Sequence, residues 1–193
     1  MKKLSTFARV RQLEGWRTVA FSAALLERML PNYALFKEVT GFDDEGVCKN
    51  CLSLLWESVR SPKSKINFSV QLEKVECVTP DTADYDTFGV YPAIDATIAL
   101  AAAIGLVLKQ DLQGAVVVSK LSQGSVEAYL LASGVDEEDI KGHPLMVFEV
   151  ELQNAMLDLL EKDGSPLSTC DELKALALEE GISNIGLEIN PEA

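Results

Sequence analysis

Glu27, Glu57, Glu73 and Asp95 each fall on a different predicted helix, beside apolar or aromatic neighbours, so their carboxylates could converge on Mg²⁺ or Mn²⁺ for phosphoryl chemistry. A helical carboxylate site of that kind needs acids paired one turn apart, as Glu-x-x-Glu and Glu-x-x-Asp. Glu73-Lys74-Val75-Glu76 supplies the first pair, but Pro92 stands three residues before Asp95 and breaks the second. The plainer expectation is that these acids pair with Arg28, Lys74 or helix N-termini, or face water.

Cys48-Lys49-Asn50-Cys51 could form a redox pair or half a zinc site. Zinc needs two further ligands at local spacing, and only Cys77, Cys170 and His143 remain, scattered through the chain. Cys48, Cys51, Leu52, Leu55 and Val59 share one helical face, where cysteine acts as a small hydrophobe, so core packing is expected. His143, the sole imidazole, stands between Gly142 and Pro144 at a helix entrance, where a capping role suits it. A single histidine supports neither the Glu-x-x-His pairs of di-iron bundles nor a triad with a nucleophile elbow. The glycines form neither a dinucleotide fingerprint nor a P-loop, and no cofactor is expected.

The elements that must position these residues read as all-α, a single domain over residues 1–193. Apolar residues recur at three- and four-residue intervals, and the breaks carry helix punctuation. The first predicted helix covers Leu4 to Glu14 and the second Trp16 to Leu30, with Val19, Ala20, Ala23, Leu26 and Leu30 on one face. Pro31 predicts a joint, with a short helix from Pro31 to Val39 that Gly41 ends. Asp43 and Asp44 cap the next helix, which runs to Val59; Asn67 caps another through Val78. Pro80 to Phe88 is an acidic loop. Tyr91 to Lys109 holds so many alanines that neighbours can approach from several sides, which places it at the centre of about eight helices.

Ala115 to Ser133 is read as helix despite Val116-Val117-Val118, and Asp136 to Asp139 as a short turn that Gly142 ends. Pro144 opens a helix to Lys162 with Val147, Phe148, Leu152, Ala155, Met156 and Leu159 or Leu160 inward. Ser168 with Asp171 and Glu172 resembles a capping box for a last helix ending at Gly181. The tail Ile185 to Ile189 alternates like a strand, so it either covers the bundle irregularly or pairs with another copy.

The chain has 17 Lys and Arg against 30 Asp and Glu, a net charge of −13, which disfavours binding to nucleic acid. Residues 131–193 hold 3 of the bases and 15 of the acids, so the acidity belongs to the C-terminal helices. Lys2, Lys3, Arg9, Arg11 and Arg17 make the start basic, fit to neutralise those helices in the same or a neighbouring chain. That segment is not a secretory signal. The uncharged run Ala96 to Leu108 falls short of the about twenty residues that a bilayer crossing needs, so no membrane association is expected. Four cysteines without an export signal fit reduced thiols in the cytoplasm.

Several strings together carry a family resemblance: Glu27-Arg28-Met29-Leu30-Pro31-Asn32-Tyr33, Leu55-Trp56-Glu57, Asn67-Phe68, Gln71-Leu72-Glu73, Gly89-Val90-Tyr91-Pro92-Ala93-Ile94-Asp95-Ala96 and Ser183-Asn184-Ile185-Gly186. The chain resembles, over nearly its whole length, the YjaG-like family of bacterial proteins, a domain-of-unknown-function family. The resemblance implies an all-helical cytoplasmic bacterial protein and points to no substrate. Its strings also mark a candidate polar pocket of Arg28, Asn32, Tyr33, Trp56, Glu57, Asn67, Gln71, Glu73, Tyr91 and Asp95, in which Arg28 pairs with Glu57, Glu73 or Asp95. A satisfied internal network is the competing expectation. The function expected is non-enzymatic, through protein contacts and with a homodimer as the first partner; the alternative is a Mg²⁺- or Mn²⁺-dependent phosphohydrolase.

Overall fold

The structure, a computed structural model, describes residues 4–189. Among these it holds eight α-helices and no strand: α1 (Thr6–Val10), α2 (Trp16–Thr40), α3 (Val47–Arg60), α4 (Phe68–Cys77), α5 (Val90–Val107), α6 (Gly114–Ala132), α7 (Pro144–Leu160) and α8 (Pro166–Leu178). Short 3₁₀ turns at Thr82–Asp84 and Ile140–Gly142 join α4 to α5 and α6 to α7.

α5 is the centre, as its small residues predict. It packs against α2, α3, α4 and α6, and Ala93, Ala96, Ala99, Leu100, Ala103 and Ile104 are fully buried along it. Its 18 residues are long and apolar enough to cross a bilayer, yet 61% of the helix is buried within the bundle, the pattern of a core helix. The α5–α6 turn depends on one glycine: a Cβ at Gly114 would lie 2.5 Å from the Ala102 carbonyl oxygen, so alanine there forces the helices apart.

The helix ends show which local signals prevail. Asn67 accepts the Val70 N–H at 3.3 Å, and His143, ahead of Pro144, accepts the Leu145 N–H on Nδ1 at 3.2 Å, the capping role its position suggested. Asp44 accepts the N–H groups of Gly46 and Cys48 at 3.1 and 3.0 Å, although α3 itself starts only at Val47. The expected capping box at Ser168 is overruled. Ser165 caps α8 instead and Pro166 takes its first turn, where a missing N–H costs nothing.

Other expectations are corrected by tertiary contacts. α1 ends at Val10, where tighter turns from Arg9 O to Gln12 N and from Val10 O to Leu13 N replace helical bonds. Val147 is 37% exposed rather than inward. Most notably, α2 runs straight through Pro31, where a joint was expected. An interior proline costs about 3 kcal/mol, but α2 is enclosed by α3, α5, α6, α7 and α8, and that burial outweighs the local loss. The carbonyl of Arg28, three residues before the proline, accepts an N–H from outside the helix, that of Asn184 at 3.1 Å.

Asn184 belongs to the C-terminal tail, which covers the bundle and makes a short bridge with itself. Ile182 and Glu188 form an antiparallel bridge, Ser183 N–H donates to Leu187 O at 2.7 Å, and Gly186 turns the chain at φ +85°. Ser183, Asn184 and Ile185 are buried by the fold. The charge asymmetry is likewise met within the chain. The Arg9 guanidinium donates to Glu161, Asn154 and Asp158 on or beside α7 at 3.0, 2.9 and 2.6 Å, and Arg17 donates to Leu160 O at 2.9 Å. Lys2 and Lys3 lie outside the described residues.

Candidate functional site

The polar residues marked in the sequence separate into two groups, and only Arg28 and Asn32 share a buried cluster. Both are placed by α2, one turn apart on the same face. Arg28 is 1% exposed and its partner is none of the three acids expected but Glu149 on α7, itself fully buried, at 3.2 Å. A second guanidinium nitrogen donates to Ile182 O of the tail at 3.2 Å, and the group lies 5.2 Å from the centre of the Phe148 ring.

Around this ion pair the buried polar atoms bond mainly to one another. Glu149 accepts from Ser122 Oγ at 2.6 Å and from Gln153 Nε2 at 2.8 Å, and Gln153 accepts from Ser119 Oγ at 2.7 Å. Asn184 links the tail to two helices: its Oδ1 accepts from Asn32 Nδ2 at 2.7 Å and its Nδ2 donates to Ser122 O at 3.1 Å. Among the described residues only Arg28 Nε and Asn32 Oδ1 are buried side-chain nitrogen or oxygen atoms without a partner. Such a cluster fixes how α2, α6, α7 and the tail meet, because each buried polar atom would cost about 1–3 kcal/mol if left unpaired.

The remaining candidates are dispersed. Trp56 donates to Glu27 Oε1 at 2.8 Å, and Lys174 of α8 approaches the same oxygen at 3.3 Å, so Glu27 ties α2 to α3 and α8. Tyr33 donates to Val78 O at 3.0 Å, and Gln71 accepts from the Cys51 thiol at 3.5 Å. Glu57, Asn67, Glu73, Glu76 and Tyr91 are exposed. Asp95 accepts from Ser125 Oγ at 2.6 Å; burial raises its pKa and that hydrogen bond offsets part of the rise. Among the described residues no three acids, cysteines or histidines come close enough to hold a metal, so Glu27, Glu57, Glu73, Glu76 and Asp95 do not form the predicted acidic set.

Cys48 and Cys51 are buried on α3, as the core reading requires. Burial pushes their thiols up to about 12 and about 11, away from the thiolate that redox or metal chemistry needs. Near them, Asp44 is held below the usual carboxylate range. Burial works to raise it, but hydrogen bonds from Lys37 and from the Cys48 and Gly46 amides prevail.

Neither of the two main grooves, each of about 500 Å³, is lined by the Arg28 cluster. One runs between residues 43–47 and α4, with Glu73 and Cys77 on its wall. The other separates Leu13 and Trp16 from the end of α5 and carries Leu112, 73% exposed, on its rim.

The sequence reading missed Glu149, Gln153, Ser119 and Ser122. Ser119, Ser122 and Ser125 do recur every third residue along α6, and Glu149 and Gln153 are one turn apart on α7. These were the available signals.

Comparison with known proteins places the chain in a wider family. The family described as Protein of unknown function (DUF416) matches residues 5–188. The Uncharacterized protein YjaG of Escherichia coli (strain K12) is 38% identical over 184 residues, 93% of this chain and 94% of that protein. An Uncharacterized protein of Haemophilus influenzae is 37% identical over 94% of this chain and 96% of its own length. A crystal structure of a DUF416 family protein from Shewanella baltica OS155 superimposes with a TM-score of 0.87 at 37% identity, covering 96% of this chain and 100% of that one.

Proposed function

This chain belongs to the DUF416 family, and from that premise and the geometry above we propose that it is a non-enzymatic cytoplasmic protein that acts through contacts with other protein chains, a second copy of itself first. The observation that supports this reading is the buried Arg28–Glu149–Asn184 cluster. Among the described residues, the polar side chains that converge bond mainly to one another, with Arg28 Nε and Asn32 Oδ1 left over, and neither of the two grooves described above is lined by them. The dispersed carboxylates likewise lend no support to a phosphohydrolase.

The contact surface proposed is the groove beside Trp16 and Leu112. It presents apolar side chains at the open ends of α5 and α1, where an apolar segment of a partner would remove them from water. Size-exclusion chromatography with light scattering tests this over a wide concentration range. A monomer–dimer equilibrium that Leu112→Glu weakens is the expected result, and monomer throughout would remove the second copy as partner. Metal-dependent phosphate release from nucleotides would overturn the non-enzymatic reading itself.

A further inference from the structure

α5 and α6 run side by side, joined by the short connection at residues 108–113, and their antiparallel course brings one end of each to the same level. Asp95 of α5 and Ser125 of α6 meet there through the 2.6 Å hydrogen bond. One turn further on, Tyr91 precedes Asp95 on α5 and Tyr129 follows Ser125 on α6. Phe88, just ahead of α5, bridges the two tyrosines, with ring centres 5.9 Å from Tyr91 and 6.3 Å from Tyr129.

Among the described residues, the Asp95 carboxylate beside these helix ends has no counterion. No lysine or arginine among them makes an ion pair with Asp95, and its one polar contact is the neutral Ser125 hydroxyl. Tyr91 is 52% exposed, so the group opens to solvent. A half-buried anion with no ion pair among the described residues, one helical turn from tyrosine rings whose faces attract positive charge, is complementary to an alkylated or primary ammonium group. The rings favour weakly hydrated organic cations over strongly hydrated metal ions.

We propose that Asp95, with Phe88, Tyr91 and Tyr129 around it, is a binding site for an organic ammonium ion, supplied by a free amine or by a lysine side chain of another protein. This site is independent of the reading given under Proposed function and stands or falls separately.

The test is an amide-resolved NMR titration of the full chain with tetramethylammonium chloride, n-butylammonium chloride and a blocked lysine-containing peptide, against sodium chloride at matched ionic strength. Saturable shifts confined to residues 88–95 and 125–129 are expected from the organic cations and not from sodium. Asp95→Asn, which keeps an acceptor for Ser125, is expected to weaken binding about tenfold, and Tyr91→Ala about threefold or more. Tyr91 is exposed, so its variant decides the matter even if Asp95→Asn does not fold. A peptide that binds tenfold more tightly than n-butylammonium identifies a protein lysine as the source; equal affinities identify a free amine. Shifts that sodium reproduces, or variants that bind like the parent, overturn the site.

Discussion

Replacing Arg28 by methionine keeps much of the side chain's length and apolar contact but removes its charge from a place where it is 1% exposed. Glu149 retains its bonds from Ser122 and Gln153 on Oε1, whereas Oε2 loses the guanidinium at 3.2 Å and Ile182 O loses a donor. Breaking a buried pair by removing one partner costs about 3–5 kcal/mol, because an uncompensated charge stays behind. That is a large fraction of the about 5–15 kcal/mol by which domains are stable. Urea denaturation followed by circular dichroism should therefore show the midpoint falling by more than about 1 M, given a slope of about 1–3 kcal/mol per M. The companion variant is Arg28→Met with Glu149→Met, which removes both charges. Two methionines leave no stranded charge, so the double variant should be more stable than the sum of the single effects by about 2 kcal/mol or more. A loss below about 1 kcal/mol for Arg28→Met, or additive single effects, would refute the view that this pair organises the bundle.

Of the four cysteines, Cys77 alone is exposed, and burial pushes Cys48 to about 12 and Cys51 and Cys170 each to about 11; a thiol reagent at pH 8 should therefore titrate one group per native chain and four after unfolding. Asp44 is held below its unfolded value, so it stabilises the fold above the unfolded pKa of about 3.9, and that contribution is lost as pH falls through the lower folded value. Asp44→Ala should accordingly lower the melting temperature at pH 7, and the difference from the parent should shrink below pH 4. Asp95 has the opposite sign, its folded pKa being raised, so its ionised form works against folding at neutral pH. Asp95→Asn is expected to raise the melting temperature at pH 7 and to change it little at pH 3.

How far the sequence carries these conclusions depends on the distance over which each signal acts. Caps made by Asn67, Asp44 and His143 involve neighbours within four residues, and their chemistry was readable directly. The central place of α5 followed from its alanines, since few other positions tolerate so little bulk. Arg28 could be recognised as a polar residue in need of a partner, but Glu149 stands 121 positions away and nothing local selects it over Glu57 or Glu73. Pro31 shows the converse failure. Its local rule is sound, and five packed helices override it. In the tail, the alternation from Ile185 to Ile189 left irregular cover and pairing with another copy both open, because nothing local shows that Gly186 reverses the chain and lets the segment bond to itself.

The central claim is that the buried polar cluster is a permanent part of the fold, kept shut by the tail. Native-state hydrogen exchange of the Asn184 amide, which donates to Arg28 O at 3.1 Å, tests it most directly. Exchange whose free energy and urea dependence match those of global unfolding is the predicted result. Exchange through a small opening, several kcal/mol cheaper and nearly independent of urea, would contradict it, because the tail would then lift alone and uncover Arg28, Asn32 and Glu149 as a pocket.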